Sequence, residues 1–257
     1  MSLFDDVRAV AESDEPAVLF TVLEGQGVGA KLLAGPGLDP AGDAPPELAE
    51  RVPQLLREGH SQVLEHEGAT VFAEVFGPPP RLVVVGAVDT AEALCRAAKA
   101  LGWRTAVADA RARFATRERL PSADEVVVGW PDDAYAKLGL AYGDAVVVLT
   151  HDEKFDVPAV AGALAADVSY IGALGSRRAQ EARRERLREA GVGEDELARV
   201  HGPCGLDVGA ESPAETAVSI LAEILAVRAG RSGGHLRDAK RRIHAEREAD
   251  AANLRTA

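Results

Sequence analysis

The chain has only two cysteines, Cys95 and Cys204, with no CxxC pair and no Cys/His array. Neither a disulfide framework nor a structural zinc is expected, and a reducing compartment is the natural setting. Aromatic residues make up only 4%, while alanine, valine and leucine abound. That balance suits helices packed on a parallel sheet better than a β-sandwich. Positive charge is also scarce: 29 Lys and Arg stand against 41 Asp and Glu, a net charge of −12. Such a surface repels nucleic acid and anionic membranes, so an anionic ligand needs a local cluster of donors. There is no uninterrupted apolar run of about 18 residues to span a bilayer. The opening "MSLFDDVRAVAESDE" carries acids where a signal peptide has a basic start and an apolar centre. These absences together give the expectation of a soluble, cytoplasmic protein with no nucleic-acid or membrane partner.

What is present is ordinary globular usage, 47% hydrophobic and 27% charged over 257 residues, enough for a sizeable core. The clearest punctuation is "GPPPR", Gly77 to Arg81, because three prolines continue neither a helix nor a central strand. The expected domains are 1–78, 79–230 and a polar tail, 231–257. In the first, an amphipathic helix precedes strands at "AVLFTVLEG" and "GAKLLAG" and a loop at "GPGLDPAGDAPP". A helix in "ELAERVPQLLREG", shortened or bent at Pro53, precedes a hairpin of "SQVLEHEG" and "TVFAEVF" about Gly68. This is a small α+β unit.

Downstream, "RLVVVGAV", "RTAVADA", "DEVVVGW", "DAVVVLT" and "VSYIGALG" are short, nearly continuous apolar runs. With helices between several of them, they give the pattern of a parallel sheet covered on both faces. The fold class expected is α/β: a small N-terminal α+β domain followed by a Rossmann-like parallel-sheet domain. Helices are read at "DTAEALCRAAKALG", "VPAVAGALAA", "SRRAQEARRERLREAG" and "ESPAETAVSILAEILAVRAG", whereas "RARFATRERLPSA" is partly helical at best. The last helix opens with Ser212 as N-cap, Pro213 in the first position and Glu215 completing a capping box. Its apolar Val218, Leu221, Ile224 and Leu225 are expected to form one face.

The candidate functional residues lie where strands end. Gly86 can make the turn after the first parallel strand, but Val88 stands where backbone must approach a pyrophosphate, and Asp89 repels one. Asp109 is either a ribose-binding acid or a strand-end cap. NAD(P) is accordingly the disfavoured cofactor. Thr150, His151 and Asp152 leave the fourth parallel strand. His151 can exchange a proton near neutral pH with Asp152 or Asp156 orienting it, which makes His151 and Asp152 the catalytic candidates. Equally, Thr150 and Asp152 can satisfy loop backbone. No metal site is specified.

In "YIGALGSRR", Gly172 and Gly175 admit close backbone approach and Ser176 can cap the following helix. Arg177 and Arg178 then stand beside free helix N–H groups, an arrangement for phosphate; the alternative pairs them with acids such as Glu181. In "PCGLDVGAESPAE", Asp207 fixes the loop or binds a ligand amine, and Gly205 and Gly209 permit unusual backbone angles. Cys95 is expected in the core, and covalent catalysis by either cysteine is not expected.

Taken in order, "VFAEVFGPPPRLVVVGA", "LTHDEKFD", "YIGALGSRR", "GLDVGAESPAETAVSILAEI" and "RSGGHLRDAKRRIH" resemble the XdhC/CoxI family of molybdenum hydroxylase accessory proteins. The resemblance is dense from Val71 to His244. It implies an N-terminal XdhC/CoxI domain and a Rossmann-like domain that together bind the molybdenum cofactor (molybdopterin). It further implies sulfuration of that cofactor with a cysteine desulfurase and delivery to an apo-hydroxylase of the xanthine dehydrogenase type. A cofactor-binding maturation factor is expected rather than a turnover enzyme, the alternatives being an NAD(P)-dependent oxidoreductase and a non-catalytic partner subunit of a hydroxylase; a homodimer suits such a fold, although no residue pattern specifies it. The family's first turn reads like "GAGHVA", where this chain has "GAVDTA". In place of the family's "GSxPRxxGA" and cysteine-bearing "GGC.E" segments it has "EGQGVGAK", keeping Gly29, Ala30 and Lys31, and "AGDAPPE" without a cysteine.

Overall fold

The computed structural model describes residues 2–239 apart from Asp14, Tyr142, His151 and Asp167. Two compact units are present: Met1–Pro78, joined by the described residues 234–239, and Pro79–Gly233. Among the described residues no helix is long and apolar enough to cross a membrane.

The first unit opens with α1 (Leu3–Glu12), whose Ser2 and Asp5 form a reciprocal capping box. Its sheet consists of β1 (Ala17–Glu24), β2 (Lys31–Gly35), β3 (Leu38–Gly42), β4 (Gln62–His66) and β5 (Ala69–Phe76), in the order β3-β2-β1-β5-β4. All its pairings are antiparallel. Between β4 and β5, Glu67 and Gly68 both take positive φ, +50° and +81°, as the tightest hairpin turn demands. Pro53 divides its segment into a 3₁₀ turn, Pro46–Arg51, and α2 (Val52–Glu58), sitting in the first helical turn where an N–H is not needed. Phe20, Leu48 and Leu55 fill the core on that face. Strand β3 corrects the sequence reading, which made "LDPAG" part of a loop. It lies at the sheet edge, the position that tolerates its Pro40.

The second unit alternates strand and helix: β6 (Arg81–Val85), α3 (Asp89–Ala100), β7 (Arg104–Asp109), β8 (Glu125–Val128), α4 (Pro131–Leu138) and β9 (Ala145–Val148). It continues with α5 (Glu153–Ala165), β10 (Tyr170–Ala173), α6 (Arg177–Glu189), α7 (Glu194–Leu197), β11 (Val200–His201) and α8 (Pro213–Arg228). All strand pairs are parallel, in the order β11-β10-β9-β6-β7-β8. Counted from β6 this is 3-2-1-4-5-6, the order that binds ligands at the carboxyl ends of the strands, where the winding reverses between β6 and β9. Alternate valines serve opposite faces. Leu82 and Val84 pack toward α3 and α8, and Val83 and Val85 toward α4 and α5. Full burial on both sides explains why these strands read as unbroken apolar runs.

Some details depart from the sequence reading. Helices α4 and α7 and the two-residue β11 were not foreseen, while residues 110–124, read as partly helical at best, form turns. On α8 the buried face is Ala217, Ile220, Leu221 and Ile224, whereas Val218 and Leu225 are exposed. At about 100° per residue, those two lie a quarter-turn or more away from the face that meets α3.

Candidate functional site

Strands β6, β7, β8 and β9 end around one narrow crevice of about 10 Å³, room for little more than a water molecule. Val85, Gly86, Ala108 and Asp109 close it from the strand ends, and Arg111, Gly129, Pro131, Thr150 and Phe155 come from the loops that follow. The structure thus brings three residues singled out in the sequence, Gly86, Asp109 and Thr150, to one place. Gly86 has φ +113°, and a Cβ there would lie 3.1 Å from the Thr150 nitrogen. Only glycine lets the chain turn this close at the switch point.

The polar groups of the crevice are already engaged. Thr150 Oγ1 accepts from the Asp152 amide at 3.1 Å, and the Asp152 carboxylate accepts from the Lys154 amide at 3.1 Å, capping α5. Asp156, read as an alternative partner for His151, is buried and accepts from Arg183 Nε at 2.5 Å. His151 itself lies outside the described residues. Asp109 accepts from the Ala87 amide at 2.8 Å and the Arg111 amide at 2.9 Å. Arg111 Nε and Nη2 also donate to it, at 2.9 and 2.7 Å. A carboxylate offers about four lone-pair sites, so none is left for a ribose hydroxyl, and the ribose reading of Asp109 gives way to a structural one. Burial alone would raise the Asp109 carboxyl; the Arg111 side chain and the two amides outweigh it and hold the group below its usual value. Arg111 and Phe155 were not singled out in the sequence. An arginine two residues after a strand-end aspartate was the available signal for the first.

The second locus follows β10. Ser176 Oγ accepts from the Ala179 amide at 3.2 Å, the N-cap expected of it. Arg177 and Arg178 are exposed, and neither takes part in an ion pair, with Glu181 or any other acid, among the described residues. Gly175 has φ +140°. Gly172, however, is not open to a ligand on its bare side: a Cβ there would lie 2.7 Å from the Tyr170 ring and 3.0 Å from Cys204 Cβ. Its missing side chain is required by packing. Helix α6 is fixed by the buried Arg183, which also donates to Gln180 Oε1 and to the Leu174 carbonyl. Asp207 and Gly209 lie on an exposed loop apart from the crevice lining, with Gly209 at φ +70°.

Sequence reasoning missed a further polar group. Tyr170 donates to Glu223 Oε2 at 2.5 Å, Gly205 N donates to the same oxygen at 2.8 Å, and His201 stacks on Tyr170 at 4.8 Å. Cys204 lies against this cluster, its thiol pushed up to about 12 by burial and then by the Glu223 charge. Burial likewise pushes Cys95 up to about 12. Both remain neutral thiols at physiological pH.

A profile described as the XdhC Rossmann domain matches residues 82–224, more than half of the chain. The chain belongs to the XdhC Rossmann domain family. XdhC-family relatives include the Escherichia coli (strain K12) "Uncharacterized protein YqeB", 34% identical over 195 residues, 73% of this chain and 36% of that protein. A probable xanthine dehydrogenase subunit from Bacillus subtilis (strain 168) is 30% identical over 186 residues, 72% of this chain and 53% of that one. The Escherichia coli (strain K12) "Molybdenum cofactor insertion chaperone PaoD" is 29% identical over 157 residues, covering 61% and 43%. The chain therefore spans roughly a third to a half of the length of these curated relatives. A solved structure of a xanthine dehydrogenase from Bacillus halodurans shares the fold, with a TM-score of 0.53 at 19% identity, covering 93% of this chain and 98% of that one.

Proposed function

We propose that this XdhC-family chain is an accessory factor that binds the molybdenum cofactor as cargo, assists its sulfuration and inserts it into a xanthine dehydrogenase-type hydroxylase. Its domains on this reading are 1–78, 79–230 and 231–257, and the Rossmann-like one holds the cargo. The observation that carries the proposal is the pair Arg177 and Arg178, exposed and without an ion pair among the described residues, beside the capped start of α6 on an acidic protein. The first-turn amides of a helix have no intrahelical acceptor. Together with two guanidiniums they suit the three acceptor oxygens of the pterin's phosphate. The relatives whose names mention xanthine dehydrogenase and molybdenum cofactor insertion support the identity of the cargo.

The two buried, neutral thiols shape the mechanism. Neither Cys95 nor Cys204 offers a thiolate to carry sulfur, so on this reading sulfur comes from a cysteine desulfurase while this chain holds and orients the acceptor. Asp152, next to His151, belongs to the same carboxyl edge and is proposed with it as the proton-handling pair. A nicotinamide oxidoreductase is less well supported, because Asp109 and the Ala87 amide are consumed by each other.

The test is a titration of the purified chain with the molybdenum cofactor. Each charge-assisted hydrogen bond contributes about 1.5–3 kcal/mol, so Arg177→Ala with Arg178→Ala lowers affinity at least tenfold. Wild-type protein that fails to bind the cofactor overturns the function, and unchanged affinity in the double variant overturns the site.

A further inference from the structure

Charge is spread unevenly along the chain. Residues 1–78 hold 14 Asp and Glu against 4 Lys and Arg, whereas residues 231–257 hold 7 Lys and Arg against 4 acids. Of the segments 1–78, 79–230 and 231–257, only the last is cationic. Its densest stretch is Lys240, Arg241 and Arg242, with the aliphatic Ile243 next in line. These four lie outside the described residues; the part of the tail just before them, 234–239, groups with the acidic first unit.

Where α1 crosses the sheet of that unit it leaves a groove of about 360 Å³ beside β2 and β3. Ala9 and Val10 of α1, Leu33 of β2, and Leu38 and Ala41 of β3 give the groove apolar walls, and Asp6, Glu15 and Asp39 stand around it. Glu15 and Asp39 are exposed and Asp6 is half-buried. Among the described residues, none of these three carboxylates has an ion pair or a hydrogen bond. The cation nearest to them in sequence, Arg8, is held by Asp5 at 3.3 Å. No group of acids among the described residues converges tightly enough to hold a metal ion. An apolar trough with separate, unpaired acids at its rim instead fits an aliphatic side chain flanked by several cations.

We propose that the chain's own tail docks in this groove, with Ile243 against Leu33 and Leu38 and the cations of 240–242 on the Asp6, Glu15 and Asp39 carboxylates. Ala239 belongs to the unit that bears the groove. From it the extended chain carries Ile243 about 14 Å, across about half of a unit about 30 Å wide. Tethering sets the occupant: a linked segment has an effective concentration of about millimolar, above that of a free basic segment at micromolar protein. A second copy brings its own acidic first unit and is repelled. The contact is independent of the cofactor site at Arg177 and Arg178, which belongs to the other unit.

Zero-length cross-linking of the full chain tests this, because a carbodiimide joins an amine only to a carboxylate it touches and Lys240 is the one lysine of the tail. Unlabelled and ¹⁵N-labelled protein are mixed in equal amounts at micromolar concentration, and the linked peptides are read by mass spectrometry. Lys240 is expected to couple to Asp6, Glu15 or Asp39 within a single isotope. The yield should be about tenfold or more above coupling to Glu47 or Glu50, exposed acids on the turn that covers the other face of the sheet. Ile243→Ser is expected to lower the yield about tenfold, and Arg241→Gln with Arg242→Gln about threefold; both leave every groove residue in place. Four results would overturn the proposal: no coupling of Lys240 to the groove acids, equal coupling to Glu47 and Glu50, links of mixed isotope that place the tail on a second copy, or an unchanged yield in the tail variants.

Discussion

Helix α6 holds arginines in opposite circumstances, less than two turns apart. Arg183 is 2% exposed and bound to Asp156, Gln180 and a carbonyl, whereas Arg177 and Arg178 are exposed and, among the described residues, unpaired. The difference follows from position. Arg183 projects into the packing with α5, where a charge without a partner is not tolerated; the first turn projects into water, where it is. A desolvated arginine is therefore committed to the fold, and a hydrated one is available to a ligand. Arg111 stands between them, its side chain 40% exposed and its partner Asp109 4%.

Substitutions can break this contrast, and Arg183→Ala is expected to have the largest effect. It strands a buried carboxylate at Asp156 and should cost about 3–5 kcal/mol in urea unfolding. A loss under about 1 kcal/mol would erase the distinction between buried and exposed arginines. Asp109→Asn should cost less, about 1–3 kcal/mol at neutral pH, because Arg111 can turn to water. That difference also carries a pH signature. The folded carboxyl sits below its ordinary value of 3.8, so its contribution is complete above the unfolded pKa and is lost as pH falls through the folded one. The gap between wild type and Asp109→Asn should hold from about pH 5 upward and close below about pH 4, as followed by unfolding at a series of pH values. The smallest stability effect, within about 0.5 kcal/mol, is expected for Arg177→Ala with Arg178→Ala, the same double variant that should lose cofactor affinity.

The parallel sheet was legible because burial on both faces forces unbroken valine runs, as in β6 and β9. Cap chemistry was legible for a similar reason: Ser212, Pro213 and Glu215 each have one local task, and Glu215 Oε2 accepts from the Ser212 amide at 2.8 Å. Strand β3 was hidden by Pro40 and the glycines about it, since an edge strand need not look like a strand. Helix α4 was overlooked although Pro131 opens it and Gly139 ends it at φ +57°. The site was legible only in outline. That Gly86, Asp109 and Thr150 meet follows from strand-end position; that Asp109 spends its oxygens on Arg111 and Ala87 is a matter of side-chain direction, which spacing does not encode. Gly172 misled for the same reason, because its neighbours Tyr170 and Cys204 fill the space from different segments.

Pro40 has one more effect, on how this chain keeps to itself. A five-stranded antiparallel sheet has two open margins, here β3 and β4. The ring at the middle of β3 offers no N–H to a newcomer, so recruitment of a foreign strand on that side stalls after a bond or two. Any templated growth of the sheet has to begin at β4, which makes "QVLEH" the margin to guard when the protein is concentrated.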